Sequence, residues 1–533
     1  MLSRLFRIIE ETPMTLGAWV AGFLGIVFIR IFLENFSERR VGALPTSDTE
    51  TMLHYMLWYL ATLTAVMVVV HLCTGRDMAR VAKVTLFGFL IVITPPIVDF
   101  IVTQGSGTHM AYLFGTPEML FRNYLTWFFA SPASIGATFG IRIELAILTL
   151  AMFAYARYVS GSVLRALVTG IVFYTTIFLF GILPNFVGVT STFGWLLEIQ
   201  QSLLGSSFFR SDEIFSSLTR THDMYFNVAM AHICMLVLIP LGVFVLFRIV
   251  PEKCKALIKN ARPERVLHYL LAVTGGIALA YLEHVGQSIP YGLFDVTTLV
   301  LLYLSFFLVW MFAIAVNDIV DKTSDRITNS TRPLITGALS VSEMRIAAGL
   351  FLGMALTTGF LAGHVAFLTI LVFIAISWIY SVSPFHLKRF VFINSFCIAL
   401  ATLSAVVAGF FTVSTNPSFV AFPVEWAILV LIVFTLIGNV KDIKDVAGDR
   451  IAHVYTIPVI FGDARGRTIM WGLVTLALIL VPFILEDVRF LIPGIIASVC
   501  AYPLLHHNPF REIHSFLLYF AYLFSLVVVL LLS

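Results

Sequence analysis

Residues 296–326 read VTTLVLLYLSFFLVWMFAIAVNDIVDKTSDR. The first 22 of them, Val296–Asn317, carry no charge, which is close to the length one helix needs to cross about 30 Å of hydrocarbon. The stretch then turns abruptly acidic, with Asp318, Asp321 and Asp325 following Asn317. An uncharged helix that ends in a ladder of carboxylates is a membrane span delivering polar chemistry to its own boundary. The rest of the chain repeats the first half of that pattern. Of 533 residues, 59% are hydrophobic and 12% charged, with a mean hydropathy of +0.97. A soluble globular protein carries about 25% charged residues, so this chain has too little polar surface to face water all round. The net charge of +3 leaves no basic surface for nucleic acid.

Reading on for further runs of about 20 apolar residues predicts an all-α polytopic membrane protein of 15 transmembrane helices. Six fall near 15–33, 54–73, 84–103, 143–160, 163–183 and 229–250. The first is too long for a signal-peptide core and has no small-residue cleavage site after it, so it reads as a retained span. Residues 251–264, PEKCKALIKNARPE, are basic, hold two prolines and mark the boundary to nine further spans. These lie near 266–282, 296–317, 346–362, 364–380, 392–412, 424–440, 468–485, 489–504 and 515–532. The expected organisation is therefore a six-span domain over 1–250, a linker at 251–264 and a nine-span domain over 265–533.

Loop charges provide an independent check. With the N-terminus cytoplasmic, 25 of the 33 Lys and Arg residues fall on inside loops, as the positive-inside rule requires. This orientation puts the acidic loops in the cytoplasm and the C-terminus on the opposite side. The outside segments 104–142 and 184–228 mix aromatic and polar residues and are expected to be interfacial or re-entrant helices. Cys73, Cys234, Cys254, Cys397 and Cys500 are scattered without metal or disulfide spacing and read as buried thiols.

A second acidic run answers the first. Residues 441–450 read KDIKDVAGDR, so Asp442, Asp445 and Asp449 repeat the D-x-x-D-x-x-x-D spacing of Asp318, Asp321 and Asp325. On a helix, i, i+4 and i+8 share one face, which stacks Asn317, Asp321 and Asp325 above one another. Stacked carboxylates repel, and a cation between them removes the penalty. Magnesium takes oxygen ligands and is commonly shared between carboxylates and substrate phosphates. Asn317, Asp318, Asp321, Asp325, Asp442, Asp445 and Asp449 are the expected metal-side residues. Arg326, Arg332, Lys441 and Arg450, interleaved with them, supply charge-assisted hydrogen bonds for the same phosphates.

Asn-Asp-x-x-Asp-x-x-x-Asp followed by Arg332-Pro333-Leu334 and Gly337, with Lys-Asp-x-x-Asp-x-x-Gly-Asp-Arg about 120 residues later, resembles the UbiA superfamily of intramembrane prenyltransferases. Tyr380-Ser-Val-Ser-Pro384-Phe-His-Leu-Lys388 between the two runs is similar to that family's Tyr-x-x-x-Pro-x-x-x-Lys loop. The resemblance covers roughly residues 260–533 and implies nine helices around a central cavity capped by both acidic motifs. It further implies Mg2+-dependent transfer of a polyprenyl group from a prenyl diphosphate to an aromatic or lipid-like acceptor. Lys388 and Arg332 would contact the diphosphate, and Tyr380 would sit near the allylic carbon. Arg262, Arg265 and His268 stand where family members often place acceptor contacts. Lys441–Arg450 is most similar to members acting on glycerol-phosphate ethers, homogentisate or chlorophyllide. It departs from them at Ala447, where an acidic residue is common, and at Gly438-Asn439, where an Arg-Glu pair is. Some members of the superfamily cyclise the prenyl chain instead, and a lipid transporter or scaffold binding magnesium and headgroups is the reading without chemistry.

The first 250 residues lie outside this resemblance and are left unassigned by it. They hold ionisable groups at or near membrane depth, including Arg30, His71, Asp99, Glu144 and His232. Such groups are costly there and often functional. Asp99, just after Thr94-Pro95-Pro96, is expected beside a proline kink, lining a polar cavity.

Overall fold

The computed structural model describes residues 2–38, 49–105, 112–129, 137–187, 221–283, 285–286, 293–416, 418–451 and 453–531. Among them, 15 helices are long and apolar enough to cross a membrane, one for each expected span. In the N-terminal part these are α1 (Leu16–Phe36), α2 (Thr49–Thr74), α3 (Met78–Val102), α4 (Phe139–Ser160), α5 (Val163–Gly181) and α6 (Phe226–Ile249). From the boundary onward come α7 (Pro263–Leu282), α8 (Phe294–Val320), α9 (Val341–Ala362), α10 (His364–Ser381) and α11 (Ile393–Val413). They are followed by α12 (Val424–Ile443), α13 (Asp463–Ile484), α14 (Val488–His506) and α15 (Glu512–Val529). The protein is an all-α, multi-pass integral membrane protein. It divides into two compact units: one contains the chain through Cys254 together with Tyr291–Thr297, and the other runs from Lys255 onward apart from that short segment.

In the first unit the charges expected at depth have specific structural employment. Pro95 and Pro96 cannot donate to the carbonyls four residues earlier, Ile91 and Val92. Thr94 Oγ1 donates to Ile91 O at 2.8 Å, and Arg30 Nη1 donates to Val92 O at 3.0 Å. Arg30 also pairs with Glu34 one turn along α1, at 3.3 Å. Asp99 is 3% exposed and its Oδ1 accepts from Gly140 N at 2.7 Å, capping the first turn of α4. His71 Nδ1 bonds Arg76 O at 2.7 Å, an ordinary turn contact. Of the two segments expected at the interface, the first contains a helix over Pro117–Leu125. Residues 188–220 of the second lie outside the described residues.

A short helix, Leu2–Glu11, precedes α1. It presses Phe6 edge-on against Tyr155, with ring centroids 5.2 Å apart, and buries Glu10. Glu10 accepts from Arg76 Nε and from Tyr155 OH, both at 2.8 Å, and lies 3.9 Å from Arg80. Its backbone carbonyl takes Lys83 Nζ at 2.8 Å.

In the second unit, α7 and α11 cross at a pair of glycines. A methyl on Gly276 would overlap the Val406 carbonyl oxygen, and one on Gly409 would overlap that of Val273. Small residues at such a crossing let two backbones touch, which is how helices associate where hydrophobicity provides no drive. This contact draws the start of the domain against its middle and closes one side of a central cavity.

Candidate active site

The acidic motifs are held by helical backbone at the ends of α8 and α12. Asp321 N bonds Asn317 O at 2.8 Å and Asp325 N bonds Asp321 O at 2.9 Å, so the i, i+4, i+8 ladder runs from α8 into the short helix Lys322–Thr328. At the end of α12, Gly438–Ile443 tightens to a 3-10 turn, and Val446–Ile451 then resumes an α-turn, with Asp449 N on Asp445 O at 2.8 Å. The two short helices pack directly against each other. Gly448 makes that possible, because a Cβ there would lie 2.8 Å from Thr328 Cγ2.

Both motifs face one cavity of about 360 Å³. Its deeper wall is apolar and aromatic, with Trp310, Phe373, Ile376, Ala401, Phe434 and Leu478. Its mouth carries Asn317, Asp321, Asp325, Arg332, Tyr380, Lys388, Lys441, Asp442, Asp445 and Asp449. Three sequence-predicted residues are placed elsewhere. Arg326 and Arg450 are exposed and do not line the cavity. Asp318 does not line it either: its Oδ1 accepts from Arg262 at 2.7 Å and Arg332 at 2.9 Å, and its Oδ2 from Asn260 at 2.7 Å. Its partners hold it outside the cavity, so an expected metal-side residue is in this structure an ion-pair partner.

The remaining charges divide unequally. Lys388 pairs with Asp321, Arg332 with Asp325, and Lys441 with Asp442, which also accepts from Asn394 Nδ2 at 3.1 Å. Asp445 and Asp449 have no ion pair among the described residues. Asp445 Oδ1 is buried without any hydrogen-bond partner, whereas Asp449 receives only a long 3.4 Å contact from Thr456 Oγ1. Burial, reinforced by Asp442 and Asp445, pushes the Asp449 carboxyl up to about 7. Burial likewise pushes Asp325 up to about 6, with Arg332 opposing. Uncompensated carboxylate at this mouth suits a hard, oxygen-seeking cation such as Mg2+. Among the described residues no three His, Cys, Asp or Glu side chains close into a cage of their own.

Sequence reasoning did not single out the cavity residues Glu512 and His386, and it named His268 only through the family resemblance. Glu512, at the start of α15, bridges Arg265 at 2.6 Å and Lys444; its only signal was an acidic residue beginning a span beside a loop that otherwise gathers positive charge. His268 donates or accepts at both ring nitrogens, with Tyr519 OH at 3.0 Å and Thr402 Oγ1 at 2.9 Å. His386, in the loop before Lys388, has a buried, unpartnered Nε2. Burial, then Lys388 and Arg389, lowers its pKa, so it lines the cavity as a neutral imidazole.

Residues 271–530 match the model of the UbiA prenyltransferase family. This half of the chain belongs to the UbiA prenyltransferase family. The UbiA region is 29% identical over 168 residues to a homogentisate phytyltransferase from Synechocystis sp., covering 30% of this chain and 54% of that one. It is 25% identical over 189 residues to a digeranylgeranylglyceryl phosphate synthase from Methanosphaera stadtmanae, covering 34% of this chain and 66% of that one. The chain thus spans between about half and two thirds of the length of these relatives. Among solved structures, it is similar to a UbiA homolog from Archaeoglobus fulgidus bound to GPP and Mg2+, with 22% identity and a TM-score of 0.40. That similarity covers 51% of this chain and 99% of the homolog.

Proposed function

We propose that the UbiA half transfers a polyprenyl group from a prenyl diphosphate to a hydrophobic or aromatic acceptor, with Mg2+ as cofactor. The single observation that supports this best is the convergence of both acidic motifs, Lys388 and Arg332 on the mouth of one apolar cavity. Asn317, Asp321, Asp325, Asp442, Asp445 and Asp449 are the residues that would hold the metal. When bound, Mg2+ would supply positive charge against the diphosphate leaving group.

The chain's own groups do the rest. Lys388, Arg332 and Lys441 bind and orient the diphosphate by charge-assisted hydrogen bonds, each exchanging part of its present carboxylate pairing for phosphate oxygen. The prenyl chain lies along the apolar wall, which excludes water from the allylic carbon. Tyr380, at the end of α10, presents its ring near that carbon, where an aromatic face favours developing positive charge. The carbon–oxygen bond to diphosphate breaks with its electron pair leaving on the diphosphate, and a bond to the acceptor forms on the same carbon. The acceptor atom gives up its proton to water or the released diphosphate at the mouth. The orientation that fits the loop charges places this mouth on the cytoplasmic side, within reach of a water-soluble diphosphate head. Membrane lipids surround the remaining surface.

The test is product formation by the purified full chain in lipid nanodiscs, given labelled C10–C20 prenyl diphosphates, Mg2+ and a panel of aromatic and glycerol-lipid acceptors. A prenylated acceptor with stoichiometric diphosphate release is the expected result. A product containing only prenyl carbons would replace transfer by cyclisation. Binding without diphosphate release would leave a transporter or scaffold.

A further inference from the structure

Asp318 carries the largest share of hydrogen bonds at the site and is the one acidic-motif residue that does not face the cavity. It is 1% exposed. Its partners come from two places far apart in sequence. Arg332 lies just beyond the first acidic motif, and Asn260 and Arg262 lie at the start of the domain, upstream of the 271–530 family match. The upstream segment is pinned at three consecutive residues. Asn260 Nδ2 and Arg262 Nη2 go to Asp318, and between them Ala261 O accepts Trp310 Nε1 at 3.0 Å. Arg262 adopts φ 55°, a left-handed backbone that a residue with a Cβ takes only when its surroundings impose it. Arg262 and Arg332 both line the cavity.

We propose that Asp318 is a positioning residue and not a metal ligand: it fixes Arg262 and Arg332 side by side at the cavity mouth as a two-guanidinium receptor for the diphosphate. This assignment makes Asn260–Arg262 part of the diphosphate grip, and it rests on the prenyl-diphosphate reading above. The physical reason is preorganisation. An arginine side chain has much rotamer freedom to lose on binding. Arg332 Nη1 is held between Asp318 and Asp325, and Arg262 Nη2 rests on the same Asp318 oxygen. The buried carboxylate behind them fixes one nitrogen of each guanidinium and leaves the other N–H groups for phosphate oxygens, which match the planar fork. Asn260 occupies Oδ2, so Asp318 is satisfied without a metal ion.

The experiment compares Asp318→Asn, Asn260→Ala and Asp321→Asn in the full chain in nanodiscs. Two readouts are steady-state kinetics and the Mg2+ concentration giving half-maximal rate; the third is calorimetric binding of inorganic pyrophosphate in EDTA. Asp318→Asn is expected to raise KM for the prenyl diphosphate about 10-fold or more and to weaken metal-free pyrophosphate binding in parallel. The Mg2+ half-saturation should stay within about 2-fold, because no metal-side oxygen is lost. Asn260→Ala, which removes one neutral hydrogen bond and no charge, should raise KM about 2- to 5-fold with kcat little changed. Asp321→Asn should shift the Mg2+ requirement about 10-fold or more. A Mg2+ shift in Asp318→Asn as large as that in Asp321→Asn would overturn the proposal. So would unchanged KM and pyrophosphate binding in both Asp318→Asn and Asn260→Ala, even with lowered thermal stability. A wild-type chain that binds pyrophosphate and transfers no prenyl group would defeat the prenyl-transfer reading and leave the positioning role standing. A wild-type chain that binds no pyrophosphate would defeat both.

Discussion

Each unit of this protein buries a knot of charge at the end of its helices, and the two knots are built on opposite plans. Around Glu10 the carboxylate receives Arg76 and Tyr155, Arg80 lies 3.9 Å away, and Lys83 bonds the backbone carbonyl. Cation and hydroxyl outnumber carboxylate, and the anion is closed. At the UbiA mouth, Asp445 Oδ1 has no partner and Asp449 has no cation among the described residues. The first arrangement is what a stability element requires, because an unpaired buried charge is strongly destabilising. The second carries that cost in the free protein and is relieved by whatever positive ligand arrives. Satisfaction, more than burial or charge count, separates a clasp from a site.

The contrast is sharpest at Asp445. Replacing Asp445 by Asn should lower prenyl transfer by about 100-fold or more while leaving thermal stability equal or higher, since one uncompensated charge is gone. A loss of stability matching the loss of activity would break the distinction. Next in size is the crossing that closes the cavity. Gly409→Leu should cost about 1–3 kcal/mol or more by forcing α7 and α11 apart, visible as a lower midpoint in thermal unfolding and reduced folded yield. On the closed side, Glu10→Gln should loosen the Leu2–Glu11 helix by about 1–3 kcal/mol, measured as faster proteolysis or hydrogen exchange of that helix. Transfer activity should be unaffected.

The smallest effect is a pH dependence. Burial acts to raise the Glu10 pKa, but Arg76, Tyr155 and Arg80 together outweigh it and hold the carboxyl below 4.5. A folded-state value below the unfolded one means the stabilisation is fully present above pH 4.5 and is lost as pH falls through the folded value. Protection of the N-terminal helix should therefore be flat above about pH 5 and decline below it in the wild type. Glu10→Gln should show no such decline.

Helix count and chemistry were both legible in the sequence, and for different reasons. Membrane spans need length and uniform apolarity, which any window of the chain displays. The acidic ladders were legible because helical periodicity fixes which carboxylates share a face without knowledge of the tertiary fold. Spacing alone did not show what waited on the other face, since Asn260 and Arg262 arrive from 56 or more residues away. Glu512 was hidden in the same way, as a partner across helices whose order in space no local pattern encodes. Asp99 misled because a charge beside a double proline looks functional. The carbonyls freed by Pro95 and Pro96 are met by Thr94 and Arg30, and Asp99 caps a neighbouring helix.

Gly448 gives the acidic mouth a fixed gauge. With only a hydrogen between the second short helix and Thr328, the two carboxylate banks are spaced by the Gly448 backbone lying against the Thr328 side chain. The jaws thus hold their spacing before any substrate arrives, and a single methyl group would prise them apart like a shim.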